Sequence, residues 1–271
     1  MLKEQPSEAE ETQKPKGWRL RHGLAYVIGG QINSKVSNSV VEFNPKTGRW
    51  RRVASSLLAR SAHSAAGFGS AIVSCGGWDG RTVVGFAELF LPAKNRWFRL
   101  PGLLDARSAH CAVAQEEDGR VFVTGGENEF GNELDLVEYC TLPVGNSAGS
   151  PESHSFLTWR RAAPMNQKRQ YHALAYAKGK IVAVGGVINR REVTRTVEVF
   201  SPPDRGNPLG QWTFVKRLDL AYNYPFAIAV DGYFFVFHPD DEIWTDVGAL
   251  STVREVNGVI AFPSASRFQT L

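Results

Sequence analysis

The residues of this chain best suited to chemistry form an Arg-x-x-His pair shared by three similar stretches: Arg60 with His63, Arg107 with His110, and Arg169 with His172. In "LARSAHSAAGFGSAIVSCGG" (Leu58 to Gly77) the pair lies among serines, with Cys75 and a glycine pair following. Imidazole is a ready base or metal ligand and guanidinium a ready clamp for carboxylates, so one such copy would read as a small active site. The stretch then nearly repeats as "DARSAHCAVAQEEDGRVFVTGG" and, more loosely, as "QKRQYHALAYAKGKIVAVGG". Three copies of one constellation point instead to a repeated structural unit. Three equivalent histidines would converge near a common axis as a metal site, but no carboxylate or cysteine accompanies them at ligand spacing. The expectation is that each caps its own unit by hydrogen bonding, with no metal.

The elements that position these residues follow from the period. Glycine pairs fall at Gly29 and Gly30, Gly76 and Gly77, Gly125 and Gly126, and Gly185 and Gly186. Each follows a short apolar run of strand length ("LAYVIGG", "SAIVSCGG", "RVFVTGG", "KIVAVGG"). A glutamate in a further strand comes next (Glu42, Glu88, Glu138, Glu198), and then a tryptophan opening a last strand (Trp50, Trp97, Trp159, Trp212). Each unit is therefore expected to be a four-stranded antiparallel sheet. Glycine supplies positive φ and close backbone approach, tryptophan a large apolar surface between neighbouring sheets, and glutamate an acceptor for donors from the next sheet.

The order Arg-x-x-His, apolar strand, Gly-Gly, Glu-aromatic strand, Trp resembles the kelch repeat, in four copies over roughly residues 20 to 220. The resemblance implies an all-β fold, a kelch-type β-propeller of four-stranded blades. Residues 1–17 read as a disordered leader and 18–271 as the propeller, with blades at about 20–57, 58–104, 105–164 and 165–220. A degenerate fifth blade at 221–250 follows if Gly232 is matched to Gly179, with a C-terminal closing strand at 251–263. That strand would complete the first blade, which has no Arg-x-x-His strand of its own. A closed five-bladed ring is the reading adopted, against an incomplete six-bladed one.

Composition narrows the function. The 31 Lys and Arg are scattered among 27 acids, for a net charge of +4, which leaves no concentrated basic stripe for nucleic acid. Three cysteines without C-x-x-C spacing suggest neither a disulfide framework nor zinc, and fit a reducing compartment. The polar start "MLKEQPSEAEETQKPKG" is no signal peptide, and no apolar run is long enough to span a membrane. A cytoplasmic protein is expected.

In the family that the repeats resemble, one end of the ring binds partners, through the loops after Gly-Gly and those leading into the Arg-x-x-His strand. Carried over, these loops nominate Trp78, Phe130, Tyr171, Tyr222 and Tyr224 as aromatic anchors. Arg81, Arg190 and Arg191 would pair with carboxylates of an acidic peptide, and Asn33, Asn128 and Asn189, with Asp79 beside them, would meet an extended backbone. The expected function is binding of another protein, without catalytic residues or cofactor. The resemblance further implies a substrate-receptor role in a cullin-type ubiquitin ligase, although no BTB or F-box domain is present in the sequence, or else an actin-associated scaffold. An oxidase or sialidase-like enzyme is the weaker alternative. It would need copper ligands on the axis, or the repeated arginines turned towards a ligand.

Overall fold

The computed structural model describes residues 24–115, 117–142, 157–218, 225–230, 233–238 and 243–249. The expected leader, the closing strand at 251–263, Tyr222 and Tyr224 lie outside these residues. The first sheet is built from β1 (Ala25–Ile28), then, past the small hairpin β2 (Gln31–Ile32) and β3 (Lys35–Val36), β4 (Val40–Asn44) and β5 (Arg49–Val53). The second runs in order through β6 (Ser64–Phe68), β7 (Ala71–Cys75), β8 (Ala87–Leu91) and β9 (Arg96–Leu100). The third does the same with β10 (Cys111–Gln115), β11 (Arg120–Thr124), β12 (Val137–Thr141) and β13 (Arg160–Ala162).

The fourth takes β14 (Ala173–Ala177) and β15 (Lys180–Val184), sets aside the hairpin β16 (Val187–Ile188) and β17 (Glu192–Val193), and ends with β18 (Thr196–Ser201) and β19 (Gln211–Arg217). The fifth holds β20 (Phe226–Val230), β21 (Tyr233–His238) and β22 (Ile243–Ala249). All the pairings are antiparallel, and a single short 3₁₀ turn at Pro92–Lys94 is the helical element of the described residues. The inner strands β6, β10, β14 and β20 stand side by side, each sheet packing face to face on the next as blades do around an axis.

The cores lie between the blades. Ile72, Phe90 and Trp97 of the second blade meet Tyr26, Ile28 and Val53 of the first. Val73, Leu89 and Leu100 on its other face meet Val121, Cys140 and Trp159 of the third. Phe122 and Val137 there meet Ile181, Phe200 and Trp212 of the fourth. The period-2 alternation of a strand thus sends every second side chain to one neighbour and the rest to the other, so both faces are apolar.

Three buried ion pairs repeat with the blades. Arg60 reaches Glu88 at 2.5 Å, Arg107 reaches Glu138 at 2.6 Å and Arg169 reaches Glu198 at 2.5 Å, all fully buried. The arginines also satisfy carbonyls where their own blade's middle strands end: Arg60 donates to the Gly76 and Phe86 oxygens, Arg107 to those of Gly125 and Leu136. The second carboxylate oxygen of each glutamate accepts a backbone N–H from the chain entering the blade, at Leu57, Leu104 and Asn166. Charges taken from water at this cost persist because both oxygens of each carboxylate and the terminal guanidinium nitrogens have partners, the Nε of Arg60 and of Arg169 being left without one.

The first blade departs from this pattern. Register pairs Val27 with Val41 and Tyr26 with Glu42, whereas in the second blade Ser74 pairs with Glu88. Glu42 therefore stands one residue later than its counterparts and, by strand alternation, on the opposite face. There it binds Tyr26 Oη and the Arg51 guanidinium, which take the place of a repeat arginine that this blade lacks among the described residues.

Glycine is needed where blades come closest. Gly76, at φ 65°, would place a Cβ 2.3 Å from His110 Cε1 and 2.6 Å from the Arg107 carbonyl of the next blade. Gly69, at φ 54°, has open space around it. Gly76→Ala is expected to cost roughly 2–5 kcal/mol, from backbone strain plus overpacking, and Gly69→Ala about 1–2 kcal/mol from backbone strain alone. Urea unfolding midpoints of the two variants, compared with the wild type, measure the difference.

Candidate functional site

Two sets of segments meet at one end of the blades. The residue after each of the last three glycine pairs forms a backbone bridge with the residue after a repeat arginine: Trp78 with Ser61, Glu127 with Ser108, Val187 with Gln170. The bridges hold the loops after Gly-Gly against the segments that lead into the inner strands. On the axial side a second chain of bonds crosses from blade to blade, Ala109 N–H to the Ala62 carbonyl and Tyr171 N–H to the Ala109 carbonyl, both at 2.8 Å. Ala62, Ala109 and Tyr171 all have φ near 50°, a left-handed kink that turns each segment inward. Tyr171 therefore stands in the innermost row, half-buried, where the two earlier blades have alanine.

Around this row the loops touch their neighbours. The Gly80 loop lies against Val36 of the first blade's hairpin. Arg190 donates its backbone N–H to Glu133 and its guanidinium to Asn132 Oδ1 across the third and fourth blades. Phe130 is 72% exposed, and Arg81, Arg190 and Arg191 are also exposed. Trp78 is half-buried between Ser61 and Val83.

The small polar residues of these loops also shape them. Asp79 Oδ1 accepts the N–H groups of Arg81 and Thr82, and these bonds hold its carboxyl below the usual range. Asn128 Oδ1 accepts those of Phe130 and Asn132, and Asn33 and Asn189 occupy left-handed turn positions of the β2–β3 and β16–β17 hairpins. These four fix the loops that display the aromatic and basic side chains.

The residues that looked catalytic have other duties. His110 and His172 are buried, and His63 is half-buried. They bridge to the preceding blade rather than capping their own: His172 Nε2 lies 2.8 Å from Thr124 Oγ1, and His110 Nε2 lies 3.8 Å from Cys75 Sγ. A blade-to-blade bond is the outcome because each ring fills the notch left by the preceding blade's first glycine. Arg60, Arg107 and Arg169 are fully buried against their glutamates, so they present no triad to a ligand carboxylate. Burial pushes the Cys75 and Cys111 thiols up to about 12 and the Cys140 thiol higher still, which keeps all three protonated. Among the described residues no three His, Cys, Asp or Glu side chains lie close enough to hold a metal ion.

The comparisons agree with this geometry. The kelch motif matches residues 22–56, the first glycine pair with its following strands. The fold matches the solved structure of YjhT with a TM-score of 0.64 at 14% identity, over 83% of this chain and 81% of that one. The chain carries a kelch motif in its first blade and has a kelch-type β-propeller fold. No helix among the described residues is long and apolar enough to cross a membrane.

The blades are joined by bonds that the landmark residues alone do not announce. The second glycine of each of the first three pairs donates to the carbonyl of the next blade's arginine: Gly30 to Arg60, Gly77 to Arg107, Gly126 to Arg169. The indole N–H groups of Trp97, Trp159 and Trp212 donate to the Ala54, Pro101 and Ala163 carbonyls of the blade before. A sequence signal for this coupling exists: each repeat arginine is the tenth residue after the preceding tryptophan, at Trp50, Trp97 and Trp159.

Burial, with the neighbouring arginine second, holds the His110 and His172 imidazoles well below their ordinary pKa, so both are neutral in the fold. In the unfolded chain they take up protons below about pH 6.5. The unfolded state therefore binds more protons at pH 5 than the folded one, and stability present above pH 6.5 is lost as the pH falls. We expect each to withdraw roughly 2 kcal/mol between pH 7 and pH 5. Urea unfolding across that range checks this, and His110→Gln should flatten the slope.

Proposed function

We propose that this propeller is a protein-binding module whose receptor face is the end formed by the loops after Gly-Gly and the axial row. The observation that carries the reading is the juxtaposition there of a protruding Phe130, the half-buried Trp78 and Tyr171, and exposed Arg81, Arg190 and Arg191 on loops braced by their own turns. Aromatic and arginine side chains on rigid supports are the residues that dominate binding energy at protein interfaces. The basic members suit a partner segment carrying carboxylates, which arginine grips in bidentate fashion. Within this reading, presentation of a bound protein to a cullin-type ubiquitin ligase through a separate adaptor is the finer role.

The same residues weigh against a catalytic reading. The arginines that a sialidase-like site would use are spent on the buried glutamates, and the cysteines that a copper oxidase would use are buried within the blades or bonded to backbone, as the Cys111 thiol is to the His172 carbonyl.

Affinity capture from cell lysate tests the face. Wild type is compared with a triple variant, Phe130→Ala with Arg81→Ala and Arg191→Ala, whose positions are exposed and whose fold should be unchanged by circular dichroism. A defined partner should be retained by the wild type and reduced at least about tenfold in the variant, since two or more interface anchors are removed. Equal retention by both would refute the face, and recovery of a cullin with the partner would support the ligase role.

A further inference from the structure

The hairpins after the glycine pairs share one cross-strand contact, and the third blade departs from it. The residue after Gly-Gly stands opposite a valine in three of them: Gln31 opposite Val36, Trp78 opposite Val83 and Val187 opposite Val193. In the third blade Glu127 stands opposite Glu133. Backbone bonds flank this pair, Asn128 N–H to the Asn132 carbonyl and Leu134 N–H to that of Gly126. It is therefore the non-hydrogen-bonded kind of pair, in which side chains lie closest. Like charges directly opposite in a sheet repel and destabilise it. A valine, as in the sister blades, would avoid that penalty, so the two carboxylates stand here at the expense of the hairpin.

Their surroundings place them in the receptor face. Both glutamates are half-buried, and Phe130 lies at the tip of the same hairpin. Ser108 Oγ, from the segment entering the blade, lies 3.4 Å from Glu127 Oε1 and donates to it. From the fourth blade, Arg190 gives its backbone N–H to Glu133 and its guanidinium to Asn132. The other charges of the loop are the exposed Glu129 and the half-buried Asp135. Burial holds the Glu127 carboxyl above the usual carboxylate range, against the Ser108 hydroxyl that donates to it, and the charge of Glu133 adds to the rise. Two carboxylates in one confined site take up their first proton as a unit, because repulsion and burial both oppose the second charge.

We infer that the Glu127–Glu133 pair is a proton-operated switch in the receptor face, sharing one proton as the solution turns acidic, before exposed carboxylates are protonated. The inference rests on the reading of this end as the receptor for a carboxylate-bearing partner. Loss of one negative charge beside Phe130 and Arg190 raises the potential such a partner meets, so its binding strengthens as the pH falls.

The test is a carboxyl-carbon NMR titration of the whole chain labelled at glutamate Cδ, over the pH range in which circular dichroism shows it folded. Glu127→Gln and Glu133→Gln assign the signals, and glutamine keeps the oxygen that accepts the Ser108 and Arg190 bonds. Glu127 should take up its proton at higher pH than the exposed glutamates of the chain, and Glu133→Gln should shift that transition towards theirs. A Glu127 transition coincident with the exposed glutamates would overturn the inference. So would one that Glu133→Gln leaves in place, since burial alone would then account for it. A second arm repeats the lysate capture at about pH 6 and about pH 8. Wild type should hold its partner at least about threefold more tightly at the lower pH, and the double glutamine variant equally at both. A partner held equally by wild type at both would overturn the switch and leave the receptor face standing. If no partner is captured, the receptor reading falls and the NMR titration decides the pair.

Discussion

The buried arginine–glutamate pair is the interaction on which the blades depend. In three consecutive blades a fully buried guanidinium ties together the carboxylate of the third strand, the carbonyls at the strand ends and, through its own backbone, the glycine of the blade before. The carboxylate's other oxygen holds the incoming chain. Removing either partner alone would leave a bare charge in the interior, at roughly 3–5 kcal/mol. An apolar substitute for the pair would forfeit the strand-end carbonyls as well. The pair therefore sets register and blade spacing together, and the loops of the candidate receptor face inherit their positions from it.

The histidines and glycines complete the same junction. An imidazole held neutral by burial fits the notch of a missing Cβ, and its ring nitrogen reaches the neighbouring strand. What resembled a catalytic constellation is a set of groups brought close because blades crowd near their axis. The crowding that makes them look reactive also removes them from solvent.

The first blade shows the same logic with one member absent. With no Arg-x-x-His strand among the described residues, it places Val41 where a glutamate would otherwise need an arginine, and Glu42 moves to the other face to meet Arg51 and Tyr26. Its tryptophan keeps the common position but has no preceding blade packed on it among the described residues, and is exposed.

The repeat of Gly-Gly, glutamate and tryptophan made the sheet-forming units and their order legible from the sequence, because each landmark answers a local demand: positive φ, strand alternation, a large apolar side chain between layers. Loops such as those of Asp79 and Asn128 were legible as turns for the same reason, their side chains bonding to backbone two or three residues on. The partners of the landmarks were decided by tertiary structure. Whether Arg60 faces a ligand or Glu88, whether His172 caps its own blade or bridges to Thr124, and whether Trp50 is covered depend on which sheet stands next to which. A one-residue slip reverses the face of a strand, as at Glu42, and residues equivalent in the repeat then part company in space.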